Sequence, residues 1–143
     1  MNIVRTVAVT ALAGAVAACN APTPSSAVAA TDGCLHYATG VTLTGKAMTR
    51  DVTAPGKMTR SALLLQLDAP TCVSPLPGAN AAFKRIDGVR EIELVAQSNI
   101  VDVFKLAGYR VIVKGSLATT QGDGAAAPVG LTLLSIKPAD PNQ

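Results

Sequence analysis

Two short stretches constrain the fold of this chain more than any others. Val41-Thr42-Leu43-Thr44-Gly45-Lys46-Ala47 and Val111-Ile112-Val113-Lys114-Gly115-Ser116-Leu117 share one pattern, apolar residues alternating with others and a glycine at the fifth place. Alternation with a period of two predicts half-buried strands. A glycine inside such a run marks a bulge, a sharp bend or a close backbone approach. We read the two as bent strands and not as an internal duplication. Two bent strands in one small domain suit a closed barrel.

The remaining pattern supplies the other elements. Leu35, Tyr37, Val41 and Leu43 share one face of the first predicted strand, while His36, Ala38, Thr42 and Thr44 share the other. A second strand is predicted over 61–68, with Leu63, Leu65 and Leu67 inward. Its Leu64 points the other way, so part of that outer face should also be covered. Ala69-Pro70 should break the ladder, since proline cannot donate to it. Residues 73–80 read as loop, and a third strand is predicted over 91–96 with Ile92 and Leu94 inward.

A short helix follows. Asn99 can cap it, Asp102 can sit in its first turn, and Ile100, Val103, Phe104 and Ala107 form an apolar stripe. Gly108 suits the left-handed position that ends a helix. The fourth strand places Tyr109, Val111, Val113 and Leu117 on one face, and the last places Val129, Leu131 and Leu133 inward. The order β-β-β-α-β-β defines the expected fold class, all-β with one short helix, as an OB-fold-like small Greek-key barrel. An SH3-like barrel or a small sandwich is the competing architecture, and the place of the helix disfavours both.

The barrel is expected over residues 34–137, within a longer plan. Arg5 gives a short positive start, and Val7 to Ala18 is an apolar stretch of twelve residues. A membrane span needs about 20 residues, so this stretch reads as the core of an export leader over residues 1–18. It ends in Val16-Ala17-Ala18-Cys19, which resembles a bacterial lipobox. Lipidation at Cys19 is the expectation, and Asn20 in place of aspartate favours the outer membrane. Ordinary secretion, with cleavage after Ala27-Val28-Ala29, is the alternative and would leave a soluble periplasmic or secreted protein. Residues 19–33, rich in Ala, Pro, Ser and Thr, read as a flexible tether, and residues 138–143 as a polar tail.

Setting Cys19 aside leaves Cys34 and Cys72. In an oxidising compartment a disulfide is the default for such a pair. If the two face each other on antiparallel neighbours, the hairpin between them centres on Thr53, beside the turn signal Ala54-Pro55-Gly56. No CxxC spacing points to redox chemistry.

Composition narrows the chemistry. The single histidine rules out a multi-histidine metal site, and four aromatics make a stacking platform for bases or sugars improbable. His36 reads as a surface residue of its strand, and Glu91 with Glu93 as a solvated face. No nucleophile elbow, phosphate loop or zinc spacing is present, so neither enzyme activity, a metal nor a cofactor is expected. The 34–137 region carries eleven Lys and Arg against seven Asp and Glu. Arg50, Lys57 and Arg60 flank the first predicted turn, and Arg50 and Lys57 lie on one of the loops through which OB folds bind. They are the candidate binding residues, with ordinary loop decoration as the alternative. Lys84, Arg85 and Arg90 gather before the third strand. The partner they suggest is an acidic protein, a glycan or anionic headgroups, and not nucleic acid.

Four stretches resemble a bacterial family, the domain of unknown function numbered 4431. They are Val41 to Gly45, Leu65-Gln66-Leu67-Asp68-Ala69-Pro70-Thr71-Cys72-Val73, Val111 to Leu117 and Leu131 to Ile136. The second is the most distinctive. The resemblance implies an exported OB-like module, often lipid-anchored, with no established activity. Typical members are histidine-rich between the last two strands. Here that stretch, 119–127, holds no histidine, so no metal or proton role is carried over. The expected function is a lipid-anchored, periplasm-facing binding module that docks a periplasmic protein, such as an inhibitor or immunity protein. A structural envelope lipoprotein that binds glycan or lipid headgroups is the alternative.

Overall fold

The computed structural model describes residues 33–97, 102–120 and 122–139. The leader, Cys19, the tether up to residue 32 and Asn99 lie outside the described residues. Six strands form in the order β1 (Leu35–His36), β2 (Gly40–Val52), β3 (Arg60–Ser74), β4 (Ile86–Val95), β5 (Arg110–Thr119) and β6 (Val129–Pro138). A single 3₁₀ turn, Val103–Leu106, lies between β4 and β5.

The strands close into a ring. β2 pairs antiparallel with β3 and β5, β3 with β4, and β5 with β6, while β4 meets β6 in parallel over three residues, Glu93–Val95 against Gly130–Thr132. Antiparallel neighbours around a closed ring with one parallel seam make an OB-like Greek-key barrel, as the element order predicts. Its interior is filled by Ala47, Leu63, Leu65, Ile92, Val111, Val113, Leu117, Val129, Leu131 and Leu133, all buried. All but Ala47 are residues that alternation placed inward. Tyr109, expected on the same face as Val111, is instead half exposed, because it lies in the turn before β5 and not in the strand.

The two glycine-centred stretches turn out to be neighbours. Val41 stands opposite Gly115 and Gly45 opposite Val111. A Cβ on Gly45 would fall well inside contact with the Gln66 carbonyl oxygen, and one on Gly115 would do the same to the Thr132 carbonyl oxygen. Each glycine therefore lets its strand close onto a second neighbour.

Several local expectations are corrected. The first predicted strand is broken at Ala38, whose φ of 58° is left-handed. The part before the break, β1, lies at the far end of β3, beyond the residues that pair with β2, and runs parallel to it, Leu35 beside Val73. Cys34 and Cys72 do form a disulfide, with Cα atoms 4.8 Å apart. It spans this parallel pairing and not an antiparallel one. The β2–β3 hairpin is centred on Gly56, since Val52 pairs with Arg60. Gly56 has a φ of 70°, and the Lys57 amide donates to the Ala54 carbonyl at 3.0 Å.

Pro70 does not end its strand. β3 continues to Ser74 because the register shifts between Gln66 and Thr71, and the bulge accommodates a residue with no amide proton. The predicted helix shrinks to one 3₁₀ turn. Asp102 adopts a left-handed φ of 65° in front of it, and Phe104 is left half exposed while Val103 is buried. Last, β6 includes Pro138, which pairs with Val111, so the polar tail begins later than expected.

Candidate functional site: the loop end of the barrel

Along β2, β3 and β4 the residues between the core positions face outward. Register sets Met48 beside Leu64 and Leu64 beside Glu93 in one row, with Lys46, Gln66 and Glu91 in the next. An outward leucine between a methionine and a carboxylate would be wet on a bare face, and the sequence already predicts that part of this one is covered. Leu64 is fully buried, as is Ala62.

The β5–β6 loop covers this face. Arg60 donates to Glu93 Oε1 at 2.6 Å and, with the same nitrogen, to the Gly124 carbonyl at 2.6 Å. The other Glu93 oxygen accepts the Ala126 amide at 2.8 Å. Arg50 reaches Glu91 at 2.8 Å and the Ala126 carbonyl at 3.1 Å. Within the loop, Thr120 donates through its hydroxyl to the Ala127 carbonyl, and Ala127 is buried. Two arginine–glutamate pairs thus pin a glycine- and alanine-rich loop by its main chain. Hydrogen bonds to charged groups are worth about 1.5–3 kcal/mol each, roughly twice neutral ones.

The β2–β3 turn rises beside this loop. Between them lies a cleft of about 520 Å³ lined by residues that include Lys57, Arg60, Glu93, Thr120 and Asp123. The three cations singled out in the sequence are brought to one end of the barrel. Arg50 and Arg60 are engaged by Glu91 and Glu93. Lys57 lines the cleft with no ion pair among the described residues. Next to it, Met58 is 92% exposed at the tip of the turn.

Glu93 departs most from expectation. Predicted as part of a solvated face, its side chain is only 7% exposed. The outward Leu64 was the signal that something covers this face. Nothing in the alternation identified the loop, because its contacts run through backbone groups of Gly124 and Ala126. His36 also differs. It is buried beside the disulfide, with Nδ1 3.1 Å from both the Ser74 carbonyl and its hydroxyl. Among the described residues no group of three or more His, Cys, Asp or Glu is arranged to hold a metal ion, and no helix is long and apolar enough to cross a membrane. Comparison of the chain with family models, with curated proteins and with solved structures finds no match.

Proposed function

We propose that this chain is a binding module that docks a periplasmic protein through the loop end of the barrel, held at the outer membrane by lipid on Cys19. The observation that carries this reading is the preorganised tip. Lys57 and Met58 stand out on a turn braced by the Thr53 and Thr59 hydroxyls, 2.6 Å apart, beside a loop pinned by two ion pairs. A rigid tip loses little conformational freedom on binding, which leaves more of the contact energy as affinity. An exposed methionine beside a free lysine suits a partner with an apolar pocket rimmed by carboxylates. An inhibitor or immunity protein against an exported enzyme has this form. The lipobox-like Val16-Ala17-Ala18-Cys19 behind an apolar leader supports the compartment.

A photo-crosslinking residue placed at Met58 in the cell tests this directly. One stoichiometric protein adduct is expected, and Lys57→Glu in the same chain should weaken its formation. No protein adduct, together with retention of the chain on peptidoglycan or anionic lipid, would overturn the reading in favour of an envelope-maintenance role.

A further inference from the structure

The outward face has a second end, away from the loops. There a groove of about 580 Å³ is lined by Lys46, Gln66, Asp68, Arg90, Tyr109 and Arg110, among others. Register builds its floor. Lys46 pairs with Gln66 on one side and with Arg110 on the other, so three outward side chains form a row across β3, β2 and β5. Neighbours in such a row have Cβ atoms about 4.5–5.5 Å apart, close enough to grip one small group together.

The row is held in place by the fold. Arg110 makes a two-pronged pair with Asp68, at 2.8 and 2.5 Å, and the pairing lowers the Asp68 pKa below the ordinary carboxylate range. Beyond the start of β5, the Ala47 amide donates to the Tyr109 carbonyl and the Gly108 amide to the Ala47 carbonyl, which fixes the backbone beneath Tyr109. Its ring is half exposed. Lys46 and Arg90 carry no ion pair among the described residues. Glu91, which pairs with Gln66 in register, is matched by Arg50.

Three cations and one carboxylate leave this groove with a charge of +2. A phosphate monoester carries about −1.5 to −2 at neutral pH and offers three acceptor oxygens. Lys46, Arg90 and the Gln66 amide can all donate to such oxygens, and the Tyr109 hydroxyl adds a fourth donor. We propose that this groove is an anion site for a phosphate group, carried by a soluble phosphoester or by a lipid headgroup. It is separate from the protein-docking tip at Lys57 and Met58.

Titration of the full chain with inorganic phosphate, followed by amide NMR at constant ionic strength, tests the site. Saturable shifts confined to Lys46, Gln66, Arg90, Tyr109 and Arg110 are expected. Lys46→Gln with Arg90→Gln should weaken binding roughly tenfold or more, the loss of at least one charge-assisted hydrogen bond, while Lys57→Glu leaves it unchanged. Non-saturating shifts spread over all surface cations, or the same affinity in the double variant, would overturn the site. Cosedimentation with vesicles of phosphatidic acid, whose headgroup is a phosphate monoester, in phosphatidylcholine, against phosphatidylcholine alone, separates the sources. Charge-dependent retention that the double variant loses assigns a headgroup. Phosphate binding without it assigns a soluble phosphoester.

Discussion

Tyr37 stacks its ring 5.3 Å from that of Phe83 and donates its hydroxyl to the Lys84 carbonyl at 3.3 Å. It is buried in the core, and burial raises its pKa because the phenolate would lose its water. An unfolded tyrosine ionises near pH 10. Since the folded value is higher, the stability that the neutral phenol contributes is fully present below about pH 10. It is lost as pH rises through the folded value. Tyr37→Phe keeps the ring packing and removes the ionising group. At neutral pH the variant should be less stable by about 1 kcal/mol, the usual worth of one hydrogen bond. Above about pH 10 the gap should close, because only the natural chain pays for ionisation. Urea unfolding at pH 7 and at successive alkaline pH values measures both. A constant gap across that range would show that Tyr37 does not control alkaline stability.

At the scale of elements, two bent strands hold the ring together, and each depends on one missing side chain. Gly45 lies against the Gln66 carbonyl and Leu65, Gly115 against the Thr132 carbonyl and Leu131. Backbone oxygens inside a ladder cannot step aside as the end of a side chain can. Gly45→Ala should therefore cost about 1–3 kcal/mol or more, the range for overpacked cores. Gly40 sits at the start of the same strand with open space around its Cβ position. Gly40→Ala should be neutral or stabilising by about 0.4–1 kcal/mol. Denaturant midpoints of the two variants would separate them; equal effects would show that close approach is not what Gly45 provides. This part of the fold was legible in the sequence, because a glycine inside strict alternation has few other uses. The inward leucines and valines were legible for the same reason of period. Positions governed by backbone freedom were not. Ala38 and Asp102 take left-handed angles that their side chains do not announce, and these two residues broke a predicted strand and a predicted helix. At the candidate site, the cations Arg50, Lys57 and Arg60 were visible. The loop that engages two of them was not, since alanine and glycine at 124–127 bond through main-chain groups and carry no periodic signal.

At the scale of the whole molecule, the barrel is closed by unequal seams. β4 and β6 meet over only three residue pairs, whereas β2 and β3 pair over eight. The chain's entry into the barrel adds a further tie. Residues 34–38 cross from β3 to β5. The Cys34–Cys72 bridge and the Tyr37 amide, which donates to the Ser74 carbonyl at 3.3 Å, hold one side, and the Ala38 amide donates to the Leu117 carbonyl at 2.8 Å on the other. Tyr37 itself belongs to the core. The bridge thus fastens a core residue to the barrel from outside the ring. Its cysteines are 38 positions apart, and on the chain-entropy account a loop of that length contributes about 4 kcal/mol. Domains of this size have total stabilities of about 5–15 kcal/mol, so reduction should leave a folded but weakened barrel. We expect Cys34→Ala with Cys72→Ala to shift the urea midpoint downward by the equivalent of about 2–5 kcal/mol. Hydrogen exchange should lose protection first at Tyr37 and Ala38, whose amides tie this segment to its neighbours, before the β2–β3 amides respond. If the midpoint does not move, or if β2–β3 opens together with residues 37 and 38, the bridge is not the tie that holds the entry segment.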